Sequence, residues 1–265
     1  MFQRVVGAVA VFLMLGSASA FAGVPADHYF WQPAKSDASP RPWAVVLPGT
    51  SGLSIFDDHE HYFRAAIWLN ERGVDALVID YHGAIPLVPA AREGPPGDRL
   101  ATIVADALRT ERAEGRMQQQ CPGVVIGWSL GGAGAWTMAV KPADAALKAV
   151  AMFYPALLRP ESYRNTIPVL VLQGAADDLN PETELRQFVA RREDTSAPVE
   201  IVAFQGAGHA FDVPSLVPAR TQRYPALTGV PHTYAYNAEA TRSAQQALET
   251  FLRKQGIAGG TCARR

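Results

Sequence analysis

Three residues stand where apolar runs break off into glycine-containing turns, and together their types define one chemistry. Ser129 lies in Gly127-Trp-Ser-Leu-Gly131, Asp177 in Gly174-Ala-Ala-Asp177, and His209 in Gly206-Ala-Gly-His209. A serine hydroxyl is a poor nucleophile until a base removes its proton. Histidine titrates near neutrality, so it can take that proton and return it to a leaving group. A carboxylate on its far nitrogen fixes the tautomer and stabilises the imidazolium. The order Ser, Asp, His along the chain differs from both protease orders and suits acyl transfer on a parallel sheet.

Each role has competitors. Asp178 follows Asp177, and the strand-end position favours Asp177, leaving Asp178 to face solvent or cap the next helix. Of the six histidines, His209 is in a glycine-rich turn directly after a strand and downstream of the acid. A developing oxyanion needs two donors. The N–H of Leu130, after the nucleophile, is one, and within Pro48-Gly-Thr-Ser-Gly52 the N–H of Thr50 is chosen as the other. Tyr81 and His82, at a strand end near Ser129, and Trp128 are the candidate substrate-pocket residues, with a place on the rim as the alternative for Tyr81 and His82. Asp57-Asp-His-Glu-His61 resembles a metal-ligand cluster. Its histidines are two apart, however, and do not face each other on a helix, so a solvated helix start is preferred and no metal is expected.

Positioning these groups requires strands that end where they stand. Val124-Val-Ile126 is a β-branched run entering the Ser129 turn, and an alanine-rich helix follows it. Strand, sharp turn and helix form the context of a nucleophile elbow, which sets the serine at a helix N-terminus where backbone N–H groups favour negative charge. Further strands are read at Trp43–Leu47, Asp75–Asp80, Ala149–Tyr154, Pro168–Leu172 and Val199–Phe204, the last in the chain, with an edge strand near His28–Trp31. Between them, helical periodicity predicts Asp57–Arg72, with Asp57, Asp58 and Glu60 in its first turn. It also predicts an amphipathic helix on Leu100, Ile103, Val104, Ala107 and Leu108, one over Glu182–Arg192, and a closing helix over Asn237–Lys254. The segment after His209 is long enough to suggest function rather than mere connection. Strands alternating with helices imply an α/β fold with a mostly parallel central sheet and helices on both faces.

The 265 residues carry 24 Lys and Arg against 25 Asp and Glu, a formal net charge of −1 that lacks the basic face of a nucleic-acid partner. A basic start at Met1–Arg4, an apolar run from Val5 to Leu15, and A-x-A sites ending at Ala20 or Ala22 form the layout of a secretory signal peptide. Residues 1–22 are therefore read as that signal and 23–265 as one domain. The apolar run is too short for a comfortable membrane span. No cysteine lies near the cleavage region to carry a lipid, so stable membrane association after cleavage is not expected, an uncleaved anchor being the alternative. Export makes a bridge between Cys121 and Cys262 feasible, with two free thiols as the other reading.

At these residues the chain resembles the dienelactone hydrolase family of α/β-hydrolases, over most of its length from the Trp43 strand to the closing helix. The resemblance rests on Gly127-Trp-Ser-Leu-Gly-Gly132, Gly174-Ala-Ala-Asp177 and Gly206-Ala-Gly-His-Ala-Phe-Asp212. It implies the α/β-hydrolase fold, Asp177 as the acid, and Thr50 with Leu130 as oxyanion donors. The family's namesake carries a cysteine where Ser129 stands, a glutamate where Gly49 stands, and a substrate-binding arginine where Val213 stands. These departures point to a serine hydrolase of carboxylic esters or lactones, periplasmic or secreted and without a cofactor, acting through an acyl-enzyme on small uncharged molecules. A hydrolase-fold protein that only binds, or a peptidase on the same three residues, are the other readings. Nothing in the sequence specifies an oligomeric state.

Overall fold

The computed structural model describes residues 26–35, 40–156, 164–223, 229–260 and 262. The signal-peptide reading of residues 1–22 lies outside them. Strands β1 (Tyr29–Gln32), β2 (Trp43–Leu47), β3 (Asp75–Ile79), β4 (Gly123–Trp128), β5 (Leu147–Phe153), β6 (Val169–Gly174) and β7 (Val199–Phe204) form one sheet in the order β1-β3-β2-β4-β5-β6-β7. β1 runs antiparallel to β3, and every other pairing is parallel. The inner parallel strands β2 to β6 are buried on both faces apart from Lys148, while the edge strand β7 is only partly buried, which is why the inner ones read as apolar runs rather than as alternations. Every residue of β2, β3, β4 and β6 is buried.

The pleat divides these residues between two cores. Val45, Leu47, Val125, Val150, Met152, Val169 and Val171 face a layer built on α3 (Pro96–Ala113), α4 (Leu130–Val140) and α5 (Glu182–Ala190). Their strand neighbours Val46, Ile126, Ala151, Phe153, Leu170 and Leu172 face α1 (His61–Asn70) and α6 (Ala238–Lys254). α4 is apolar nearly all round because α3 covers the side turned away from the sheet. α6 is amphipathic, burying Ala244, Leu248 and Phe251, and begins at Asn237, whose side chain accepts the Ala240 N–H at 3.0 Å.

Two expectations are corrected. The first concerns α1, which starts at His61 rather than Asp57. Phe56 and Asp57 hold positive φ, 49° and 65°, and an Ile55–Asp58 bridge closes a turn before the helix. The acids are therefore in that turn and not in the helix's first turn, where Asp58 accepts the Glu60 N–H and pairs with Arg64. The second concerns the strand count, since β7 is not the last strand. The long segment after His209 folds into an antiparallel pair, β8 (Arg220–Arg223) with β9 (Pro231–Tyr234). A four-residue helix, α2 (Tyr81–Ala84), follows β3 directly and is capped by Asp80.

At the opposite end of the sheet, Cys121 and Cys262 are disulfide-bonded, with Cα atoms 4.5 Å apart. The bridge ties the chain beyond α6 to the residues entering β4. There the Trp43 indole also donates to the Cys121 carbonyl at 3.1 Å. Among the described residues no helix is long and apolar enough to cross a membrane.

Candidate active site

The turn between β4 and α4 forces Ser129 into a strained conformation, φ 48° and ψ −113°. Two glycines make the turn sterically available. A Cβ on Gly127 would stand 2.3 Å from the Gly131 carbonyl oxygen, and one on Gly131 would stand 2.3 Å from that of Leu47. Backbone bonds hold the strained residue from both sides. The Ser129 N–H donates to Phe153 at 3.0 Å, and its carbonyl accepts from Gly132 and Ala156, each at 2.9 Å. Strain maintained this way is a feature of reactive positions, where it presents a side chain that an ordinary turn would fold away.

β6 and β7 bring two further groups to the same edge. Asp177 and His209 are both buried, at 4% and 5% exposure. The His209 Nδ1 lies 2.9 Å from Asp177 Oδ2, and Nε2 lies 3.1 Å from Ser129 Oγ. With the proton on Nδ1 donated to the carboxylate, Nε2 is left to accept from the serine hydroxyl. Asp177 is itself oriented. Its Oδ1 accepts the N–H groups of Leu179 and Asn180 at 3.0 and 2.8 Å, and Oδ2 accepts the Gln173 amide at 3.2 Å. Asp178 neither faces His209 nor caps α5, whose N-cap is Pro181. Its half-exposed carboxylate lies 3.2 Å from His232 Nδ1.

The loop after β2 approaches the serine from the other side. Thr50 lines a small pocket, about 40 Å³, with Gly49, Ile55, Phe56, Leu179 and Tyr234, and Ser129 and His209 open into it. Leu130 is the first residue of α4, so its N–H belongs to the free donors of a helix N-terminus. Buried tyrosines fix the loop. The Gly49 N–H donates to the Tyr62 hydroxyl at 2.9 Å, and the Tyr81 hydroxyl donates to the Gly49 carbonyl at 2.6 Å. Burial pushes both phenols well above their ordinary pKa, which keeps them neutral hydroxyls.

Among the described residues lining the Ser129 pocket none of the three candidate pocket residues is found, and exposed His82, beside pocket-lining Thr50, fits the alternative place on the rim. Tyr81 is beneath the Thr50 loop, and His82 Nε2 is 2.9 Å from the Thr50 carbonyl, so both brace the loop instead of lining the pocket. Trp128 lines a different cavity, and its indole donates to Asp212 at 2.8 Å. Sequence reasoning missed Asp212, Tyr154 and Tyr234. Asp212 accepts from the Tyr154 hydroxyl at 2.6 Å, and the Tyr154 ring packs on His209 at 4.6 Å between centroids. Asp212 was visible as part of the Gly206–Asp212 run, and Tyr234 as part of the long segment after it. Among the described residues no cluster of three or more His, Cys, Asp or Glu could hold a metal ion.

The model of the dienelactone hydrolase family matches residues 29–256. The chain belongs to this family. Membership makes it a carboxylic ester hydrolase with an α/β-hydrolase sheet. Among solved structures it is similar to a dienelactone hydrolase-like promiscuous phosphotriesterase from metagenomic libraries. That likeness has 21% identity and a TM-score of 0.65, over 86% of this chain and 99% of that one. It is also similar to esterase 2 of Thermogutta terrifontis, solved phosphonylated by cyclosarin, at 19% identity and a TM-score of 0.59, over 89% and 90% of the two chains. A third is Est1E from Butyrivibrio proteoclasticus, at 15% identity and a TM-score of 0.57, over 86% and 93%. No curated protein sequence matches the chain. These structural likenesses concern the fold. Within the family, the chain places Ser129 at its elbow and Val213 in the apolar core.

Proposed function

We propose that Ser129, His209 and Asp177 form the catalytic triad of an exported serine esterase acting on small, uncharged carboxylic esters or lactones. The observation that carries this reading is the continuous relay from Ser129 Oγ to His209 Nε2 and from Nδ1 to Asp177, set on the ends of three parallel strands. In the first step Ser129 Oγ attacks the ester carbonyl carbon while His209 Nε2 takes its proton. The N–H groups of Thr50 and Leu130 receive the charge that develops on the carbonyl oxygen. Collapse breaks the bond to the alcohol oxygen, to which His209 returns the proton, leaving an acyl-serine. Water then attacks that ester with His209 again as base. The carboxylic acid departs, and the serine recovers its proton.

The pocket supports a neutral substrate. A buried carboxylate needs a cation or several donors to offset its lost hydration. The described residues lining the Ser129 pocket include no arginine or lysine. Arg220 is paired with Asp57 at 2.6 Å, and Val213 is fully buried among apolar neighbours. The Cys121–Cys262 bridge supports export, since such bonds persist in oxidising compartments. The test compares kcat/KM for a neutral short-chain ester and a carboxylate-bearing dienelactone on one preparation. The neutral ester is expected to be favoured by at least about tenfold, a difference of roughly 1.4 kcal/mol. A clear advantage for the dienelactone would refute the pocket reading.

A further inference from the structure

A second cavity, about 210 Å³, opens on the face of the sheet covered by α1 and α6. Apolar cavities of about 150 Å³ hold benzene, so this space suits a ring carrying a small substituent. Trp68, Trp128, Phe153 and Leu248 supply apolar walls, and two buried polar side chains, His61 and Asp212, join them. Among the described residues, the cavity shares no lining residue with the Ser129 pocket. Trp128 lines one, and Ser129, the next residue, lines the other.

His61 Nε2 is buried and has no hydrogen-bond partner among the described residues. Asp212 Oδ2 is 3.5 Å away, too far for a sound hydrogen bond. That oxygen already accepts the Trp128 indole, and its partner Oδ1 accepts the Tyr154 hydroxyl, but each carboxylate oxygen has a second lone pair. A hydroxyl is both donor and acceptor. An oxygen about 2.8 Å from each atom closes a triangle with the 3.5 Å side, accepting from Nε2–H and donating to Oδ2. Burial holds the His61 pKa below its ordinary value, against the opposing charges of Asp212 and Asp58, which keeps the ring neutral near neutral pH. A carboxylate in this place would meet the charge of Asp212. Arg64 also lines the cavity, but its guanidinium is already paired with Asp58.

We propose that this cavity binds a small neutral aromatic alcohol, a phenol or benzyl alcohol, independently of the Ser129 site. The probes are 4-methylphenol and toluene, titrated into the whole protein and followed by calorimetry and by tryptophan fluorescence, since two tryptophans line the space. Saturable binding of 4-methylphenol is expected, about tenfold or more tighter than toluene. It should be unchanged after Ser129 is blocked with a fluorophosphonate. His61→Phe should erase the preference for the hydroxyl, and Leu248→Trp should abolish binding by filling the space. Three results would overturn the proposal: no saturable binding, equal affinity for the two probes, or binding lost when Ser129 is blocked. The comparison of phenol with toluene on the unaltered protein decides the matter even where a variant fails to fold.

Discussion

Replacing Asp177 by Asn changes one atom of a carboxylate and nearly nothing of its shape, yet the hydrogen bonds around it dictate a large loss of rate. The amide has two orientations. If its nitrogen takes the Oδ1 place, it faces the N–H groups of Leu179 and Asn180, now 3.0 and 2.8 Å from a donor. Two partly buried N–H groups would lose their acceptor, at up to about 1–3 kcal/mol each. If the nitrogen takes the Oδ2 place, it opposes the Gln173 amide, which keeps its other bond to the Asn180 carbonyl at 2.8 Å. The second orientation is therefore favoured, and it presents an NH2 group to His209 Nδ1. That nitrogen must then accept, so the imidazole proton moves to Nε2, where it blocks transfer from Ser129. The same tautomer error in a serine protease costs about 10⁴ in kcat, equivalent to about 5 kcal/mol of barrier. The assay is steady-state hydrolysis of a neutral chromogenic ester, with thermal melting as a check on folding. Asp178→Asn is the control, because Asp178 faces His232 instead, and it should retain wild-type turnover within about threefold, as expected of a position outside the relay. An Asp177→Asn enzyme within tenfold of wild type would refute the orientation argument.

Two further outcomes concern stability. The intact exported protein should show no free thiol until it is reduced, and Cys262→Ala should lower stability in denaturant melts by about 2–4 kcal/mol, given the 141-residue separation the bridge closes; a full thiol titre without reductant would contradict this. His61 has a pKa lowered by burial, so the folded state binds fewer protons than the unfolded one as pH falls below about 6.5. Stability should therefore decline between about pH 7 and 5, and His61→Phe should remove part of that slope in urea melts compared across that range; identical slopes would count against it.

The sheet was largely legible because its inner parallel strands are buried on both faces. Each then appears as a β-branched run ended by a turn, and Trp43–Leu47 and Val124–Ile126 are read without reference to one another. The strand-end residues Ser129, Asp177 and His209 follow from the same punctuation. What was hidden depends on packing between distant segments. The first turn of α1 looked acidic because Asp57 and Asp58 precede an apolar periodicity, and the positive φ values at Phe56 and Asp57, which delay the helix until His61, leave no mark on composition. β8 was invisible because Arg-Thr-Gln-Arg is exposed and carries no alternation. The polar neighbours of His61 suggest a solvated residue, and its burial arises only in the fold, where its ring meets that of Trp128 edge-on and its Nε2 lies 3.5 Å from Asp212. Tyr81 and His82 are at the strand end where pocket residues gather, yet both side chains turn to the backbone of Gly49 and Thr50. Nothing in one sequence reports that direction.

The central claim is that Ser129 is the nucleophile. The most direct measurement is stoichiometric reaction with a fluorophosphonate, followed by mass spectrometry of the digested protein and assay of the residual esterase activity. The relay predicts one label per chain, on the peptide bearing Ser129, with activity lost in proportion. Ser129→Ala should take up no label and should lose on the order of 10³-fold or more in turnover. Label on another residue, or undiminished hydrolysis by Ser129→Ala, would contradict the account.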